Sequence, residues 1–307
     1  MAYSFMRELR GPFQVRPGAA AGSHKMMRHR SAFVIVLLIL CQGCGGFLLD
    51  GGLFPLPTIH LVFPMPSEYG LDYEDVRLAS SNGQTIYGWF IPADGARATV
   101  LIHHGAVENR SGSAGYYRLF HELGYHVLIY DYQGFGESLW LATLNTILPD
   151  AEVALAHLQE RNEPGTDKII LFGFSMGTLP ALTQVARNPQ GVLGVILEGS
   201  FVPQSLPVWS FYPLGITPSP EAFLNVPEEL NPRLNAAQTT LPKLFLQSRE
   251  DRVTPFSGAE ELFELAAEPK HFEELAGKHI QAVEVDPNYR DYIAAFLEQV
   301  TADDEPD

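Results

Sequence analysis

A chain of 307 residues with 46% hydrophobic content can bury one sizeable core, and one large domain is the expected count. Its formal net charge of -16 is unevenly spread: residues 1–31 hold six of the 20 basic side chains and one of the 36 acidic ones, leaving 14 basic against 35 acidic for the rest. A body that acidic lacks the electrostatic footprint of a nucleic-acid binder and is repelled by anionic lipid, so no nucleic-acid partner is expected.

Taken in chain order, Lys25, Arg28 and Arg30 precede an apolar run at residues 32–40 and then Cys41-Gln42-Gly43-Cys44-Gly45-Gly46. This is the layout of a secretory signal ending in small residues, and the run falls short of the roughly 18–20 apolar residues a spanning helix needs. The segment resembles a bacterial lipoprotein signal, whose cysteine becomes the lipidated mature N-terminus. Cys44, behind Gly43, fits that role better than Cys41, behind Leu40. The resemblance implies an exported chain held on the extracytoplasmic side of a membrane by its acylated Cys44. A cleaved signal without lipid and an uncleaved anchor over residues 32–49 remain open, and Met26 and Met27 are alternative starts. Cys41 and Cys44 are the only cysteines, which excludes disulfides, a thiolate nucleophile and a Cys-based zinc site in the body.

The organisation expected from composition is a targeting segment at 1–44, a Gly- and Pro-rich tether and lead-in at 45–67, a catalytic domain at 68–301 and an acidic tail at 302–307. Residues 75–79 and 85–91 read as two β-rich runs around Ser81-Asn82-Gly83, a hairpin turn that tolerates positive φ. Residues 98–105 form an apolar strand ending in His103-His104-Gly105, 111–123 a helix closed by Gly124, and 125–131 a second buried strand. A helix is predicted from Pro149 to residue 161, a strand at 168–173 and a helix to about Arg187, then a strand at 192–197. Residues 199–241, rich in Pro and aromatics, break this rhythm and read as a lid-like insertion or a core-plugging loop. Strands at 241–247 and 271–275 and helices at 256–267 and 289–300 complete the pattern. The alternation of strand and helix indicates a mostly parallel sheet covered on both faces, with any site at the carboxyl ends of its strands.

The chemistry centres on Gly173-Phe174-Ser175-Met176-Gly177, which joins a buried strand to a helix. A serine hydroxyl is a weak nucleophile and must be held out of the sheet, where a base can reach it and two backbone amides can face the substrate oxygen. The acid is expected just beyond a later strand: Asp251 is preferred, with Glu250 as the fallback, unless the carboxylate merely caps the helix beginning near Pro255. His279 is the one histidine in the loop before the last helix and is the expected base, giving the chain order Ser, Asp, His. The oxyanion donors are expected to be the backbone N–H groups of Met176 and of Ala106, with Val107 second. His103 and His104 are adjacent on a strand and point to opposite faces, so they do not suggest a shared metal.

At this point the residues resemble the α/β-hydrolase superfamily, over about residues 68–300. His104-Gly105, the run from Asp131-Tyr132-Gln133-Gly134 to Ser138, Gly173 to Gly177, and Asp251 with Arg252-Val253-Thr254-Pro255 look like its ABHD-type and Bem46-like serine hydrolases. The resemblance implies an α/β-hydrolase fold with a mostly parallel eight-stranded sheet, helices on both faces, an antiparallel second strand and a small lid. It also implies an acyl-enzyme on Ser175 and no cofactor or metal. Gln133 stands where Arg is common, Thr178 replaces a glycine, and Leu139 and Trp140 replace small residues. Asp131 and Ser138 are expected to brace the loop. The expected reaction is cleavage of a small-molecule or lipid carboxylic ester or thioester. The alternatives are a lipid or acyl-protein (thio)esterase at a membrane surface, and a non-catalytic lipoprotein in which His279 would lie out of reach of Ser175.

Overall fold

The computed structural model describes residues 62–106, 108–140, 142–203 and 226–302. The signal, Cys41, Cys44, most of the lead-in segment and the greater part of the tail lie outside the described residues, as do Val107 and residues 204–225 of the insertion. Eight strands form one sheet: β1 (Glu74–Ala79), β2 (Thr85–Ile91), β3 (Thr99–His103), β4 (His126–Tyr130), β5 (Ile169–Phe174), β6 (Val192–Glu198), β7 (Lys243–Ser248) and β8 (Lys270–Leu275). Their spatial order is β1-β2-β4-β3-β5-β6-β7-β8. β2 runs antiparallel to both β1 and β4, and the other pairings are parallel.

The burial of each strand follows from its place in this order. β3, β4 and β5 are buried along their whole length, the environment that selects continuous Val, Ile, Leu and Phe runs. The edge strands β1 and β8 keep half-wet, charged sequences, which discourage pairing with another chain. Between β1 and β2 the Ser80 N–H donates to the Gln84 carbonyl at 2.8 Å, and Gly83 takes φ +80°, a conformation that Asn-Gly supplies without strain.

Period-two alternation sorts the core into two layers. Leu101, Ile169 and Leu171 face one apolar cluster, which also takes side chains from α2 (Leu144–Glu160), α3 (Thr178–Arg187), α4 (Pro232–Gln238) and α5 (Phe256–Leu265). Val100, Ile102, Ile170 and Phe172 face the other, with α1 (Ala114–Glu122), α6 (Ala282–Val285) and α7 (Tyr289–Ala302). Among the described residues no helix is long and apolar enough to cross a membrane.

Two helix starts differ from expectation. α2 begins at Leu144, leaving Pro149 inside it, because burial of Leu144, Ile147 and Leu148 in the core outweighs the backbone hydrogen bond that proline cannot donate. α1 begins three residues later than expected: the Asn109 side chain accepts from the Ser111 N–H at 2.9 Å, and the Ser113 hydroxyl donates to Glu108, tying this stretch into local turns. The described end of the insertion belongs to the core. Leu230 and Ala236 are fully buried, and Asn235 donates to Thr183 of α3 at 2.8 Å.

Candidate active site

β5 delivers Ser175 at φ +51°, a left-handed conformation that costs a non-glycine residue free energy and turns its side chain out of the sheet. The two flanking glycines make this turn feasible. A Cβ on Gly173 would lie 2.4 Å from the Gly177 carbonyl oxygen, and one on Gly177 would lie 1.9 Å from that of His103. The chain continues through a 3-10 turn, Ser175–Gly177, into α3, and the Thr178 hydroxyl donates to the Ser175 carbonyl at 2.7 Å. Thr178 thus braces the turn where a glycine is more usual. The positive end of the α3 dipole faces the serine.

The structure brings Ser175, His279 and Asp251 into one chain of hydrogen bonds. The Ser175 hydroxyl lies 3.0 Å from Nε2 of His279, whose Nδ1 lies 2.7 Å from Oδ2 of Asp251. A carboxylate facing Nδ1 keeps the proton there, so Nε2 is free to accept. Ile280, next in the chain, holds φ +49°, and Gly277 holds φ +94°, so the loop presenting His279 is itself tightly turned.

Asp251 is nearly buried and richly satisfied. Its Oδ1 accepts from the backbone N–H of Val253 at 2.8 Å and of Thr254 at 2.9 Å, while Oδ2 also accepts from the Thr254 hydroxyl at 2.6 Å. Burial alone would raise its pKa, but the His279 bond and charge and the Thr254 donors together hold the carboxyl below its usual range. It does not cap the following helix: α5 starts at Phe256 with no side-chain cap bond. The fallback, Glu250, is exposed.

Met176 follows Ser175 directly and is buried, and Ala106 packs in the same apolar cluster. Gly105 brings the backbone before Ala106 close to Ser175: a Cβ on Gly105 would lie 3.3 Å from Cβ of Ser175. His103 and His104 diverge. Nδ1 of His103 meets the Tyr130 hydroxyl at 2.8 Å, whereas Nδ1 of His104 donates to the Gly105 carbonyl at 2.7 Å. Burial lowers both, to about 3 and about 4, so they are neutral core groups. Among the described residues no group of three or more His, Cys, Asp or Glu side chains is placed to hold a metal ion.

Among the supporting residues Arg110 carries no individual signal in the sequence, whereas Asp131 and Ser138 are those expected to brace the loop. Arg110 pairs with buried Asp131 and with Glu137, lies 4.6 Å from the centre of the Trp89 ring, and ties the loop after β3 to the loop after β4. Ser138 accepts from the Tyr87 N–H at 2.9 Å and donates to the Asp131 carbonyl at 2.9 Å, a bracing arrangement. Gln133 donates to Asp150 at 2.7 Å and accepts from Asn82 at 2.8 Å, linking α2 to the hairpin turn. Leu139 and Trp140 are exposed.

The family model described as "Serine aminopeptidase, S33" matches residues 94–236. Among curated proteins, the chain is 29% identical over 236 residues to the uncharacterized protein YfhR of Escherichia coli K12, covering 72% of this chain and 79% of that one. It is 25% identical over 199 residues to the protein bem46 of Schizosaccharomyces pombe, covering 62% and 65%. The Pyrococcus furiosus esterase Pf2001 superposes with a TM-score of 0.66 at 18% identity, covering 79% of this chain and 98% of that one. The sheet order, the strained serine turn and the structural likeness agree: the chain has the α/β-hydrolase fold.

Proposed function

We propose that the protein is a serine hydrolase that cleaves carboxylic esters or thioesters through an acyl-enzyme on Ser175. The observation that carries this reading is the continuous relay from Ser175 through His279 to Asp251, at 3.0 and 2.7 Å. Oγ of Ser175 attacks the acyl carbonyl carbon as Nε2 of His279 takes its proton. The oxyanion is held by the N–H groups of Met176 and Ala106, and Asp251 steadies the imidazolium. Nε2 then gives its proton to the departing alkoxide or thiolate. Water, deprotonated by His279, attacks the acyl-enzyme, releasing the acid and restoring Ser175. No metal or cofactor takes part in these steps.

The Pyrococcus neighbour is an esterase, which supports ester substrates, and the likeness to the serine aminopeptidase family supports a second reading, aminopeptidase activity. The two are separated by assaying the full chain and its Ser175→Ala variant on p-nitrophenyl acyl esters, acyl thioesters and aminoacyl p-nitroanilides. Serine-dependent turnover of the esters or thioesters supports the proposal. Turnover of the anilides alone favours the peptidase, and turnover of none by a folded protein favours a non-catalytic scaffold. Acylation of Cys44 would tether the enzyme at a membrane and favour lipid or acyl-protein substrates. Mass spectrometry of Cys44 after expression in a bacterium tests that tether.

A further inference from the structure

The carboxyl end of β6 carries an acid that the reaction above does not use. Glu198 is 2% exposed, and its Oε2 accepts from the Tyr289 hydroxyl of α7 at 2.6 Å. Tyr116 of α1 lies beside it, its hydroxyl outside ordinary hydrogen-bond geometry. Glu198 and Asp251 line one cavity of about 10 Å³, together with Ser248 and Lys278. That volume suits a single water, which needs the polar partners this lining provides. Gly199, the next residue, holds φ +65°, and a Cβ there would lie 3.4 Å from Cε1 and 3.6 Å from Nδ1 of His279. Glu198 is therefore one residue from the surface on which the imidazole rests, and it shares a water-sized space with the carboxylate that orients it.

We propose that Glu198 is a positioning residue that acts through the Asp251–His279 pair, its carboxylate supplying a second negative charge behind the imidazole. This rests on the serine hydrolase reading above. The titratable and charged groups around Glu198 are Asp251 after β7, Glu108 after β3, Tyr116 on α1, Tyr289 on α7 and Lys278 before His279. Burial raises Glu198 to about 7, the Tyr289 bond opposes that rise, and the charges of Asp251 and Glu108 add to it. It is thus neutral in mild acid and ionised in mild base. The ionised form favours the imidazolium that develops as Ser175 attacks, an electrostatic effect that a low-dielectric interior strengthens.

The test is the second-order rate of fluorophosphonate reaction at Ser175 between pH 5 and 9, using the full-length wild type, Glu198→Gln and Tyr289→Phe. Glu198→Gln is expected to match the wild type near pH 5 and to fall about threefold to tenfold behind it by pH 9. Tyr289→Phe keeps the carboxyl but loses the bond that favours its ionisation, so the rate increase that accompanies ionisation is displaced to higher pH. Superimposable profiles, or a slowing in Glu198→Gln that is the same at every pH, would overturn the proposal while leaving the hydrolase reading intact. Absence of wild-type labelling would overturn both. If Glu198→Gln does not fold, Tyr289→Phe carries the test alone, and a profile coincident with wild type counts against the proposal.

Discussion

Gly177 is packed against His103 so closely that a Cβ on residue 177 would lie 1.9 Å from the His103 carbonyl oxygen. The serine turn is therefore built against the backbone of β3, which cannot rotate away as a side chain could. Gly177→Ala is expected to cost about 3 kcal/mol or more of stability and to abolish activity, measured by urea unfolding and ester hydrolysis. The nearest atoms to a Cβ in Gly105→Ala are side-chain atoms, the Phe174 ring at 3.2 Å and Cβ of Ser175 at 3.3 Å. The substitution should therefore cost about 1 kcal/mol, with the larger loss in rate because it crowds the nucleophile.

Asp251 and Thr254 divide the task of holding His279. Asp251→Asn removes the acceptor that fixes the Nδ1–H tautomer and is expected to lower kcat/KM by about 10³- to 10⁴-fold without unfolding the protein. Thr254→Val removes one donor to Asp251 and the 3.2 Å contact of the Thr254 hydroxyl with His279 Nδ1, but leaves the His279–Asp251 bond in place, so a drop of about threefold to tenfold is expected. Ester kinetics on both variants, with circular dichroism as the control for folding, check this order.

The buried acids give stability a definite pH dependence. Glu198 and Glu108 are both raised to about 7, chiefly by burial, so each contributes stability that is present below its unfolded value of about 4.5 and lost as pH rises through about 7. For the nearly inaccessible Glu198 the span is worth of the order of 3 kcal/mol. Asp251 works in the opposite sense: its lowered carboxyl contributes stability above its unfolded value near 3.8 that is lost as pH falls through its folded value. Thermal unfolding should therefore show greatest stability near pH 5 and a decline toward pH 8. The decline should be shallower in Glu198→Gln.

Gln133 exchanges hydrogen bonds with Asp150, Ser80 and Asn82, all away from the reacting atoms. Gln133→Leu leaves the Asp150 carboxyl and the Asn82 amide short of a partner, and a loss of about 1–3 kcal/mol is expected. Activity per folded molecule should be retained, which denaturant titration alongside active-site counting would show.

The parts of this architecture that obey local rules were legible in the sequence. β5 and its turn announce themselves through an apolar run and two glycines whose absent side chains the structure requires, and Asn82-Gly83 marks the hairpin. Asp251 and His279 stand out as candidates because parallel strands deliver their following loops to one edge of the sheet, and the structure places the two side chains 2.7 Å apart. What escaped depends on partners distant in sequence. Pro149 looked like a helix start because the burial of Leu144 and Ile147 cannot be read locally. Glu198 falls between the strand expected at 192–197 and the insertion and carries no signal of its own, since its meaning lies in Tyr289, 91 positions away. Arg110 gave no signal, because its partners Asp131 and Trp89 lie on other elements.

Activation of Ser175 is tested most directly by fluorophosphonate labelling of the full-length protein, with the modified peptide located by mass spectrometry. Ser175 should carry the adduct, with labelling lost in Ser175→Ala and reduced at least a hundredfold in His279→Ala. A folded wild type that takes no label, or takes it at another residue, would contradict an activated Ser175.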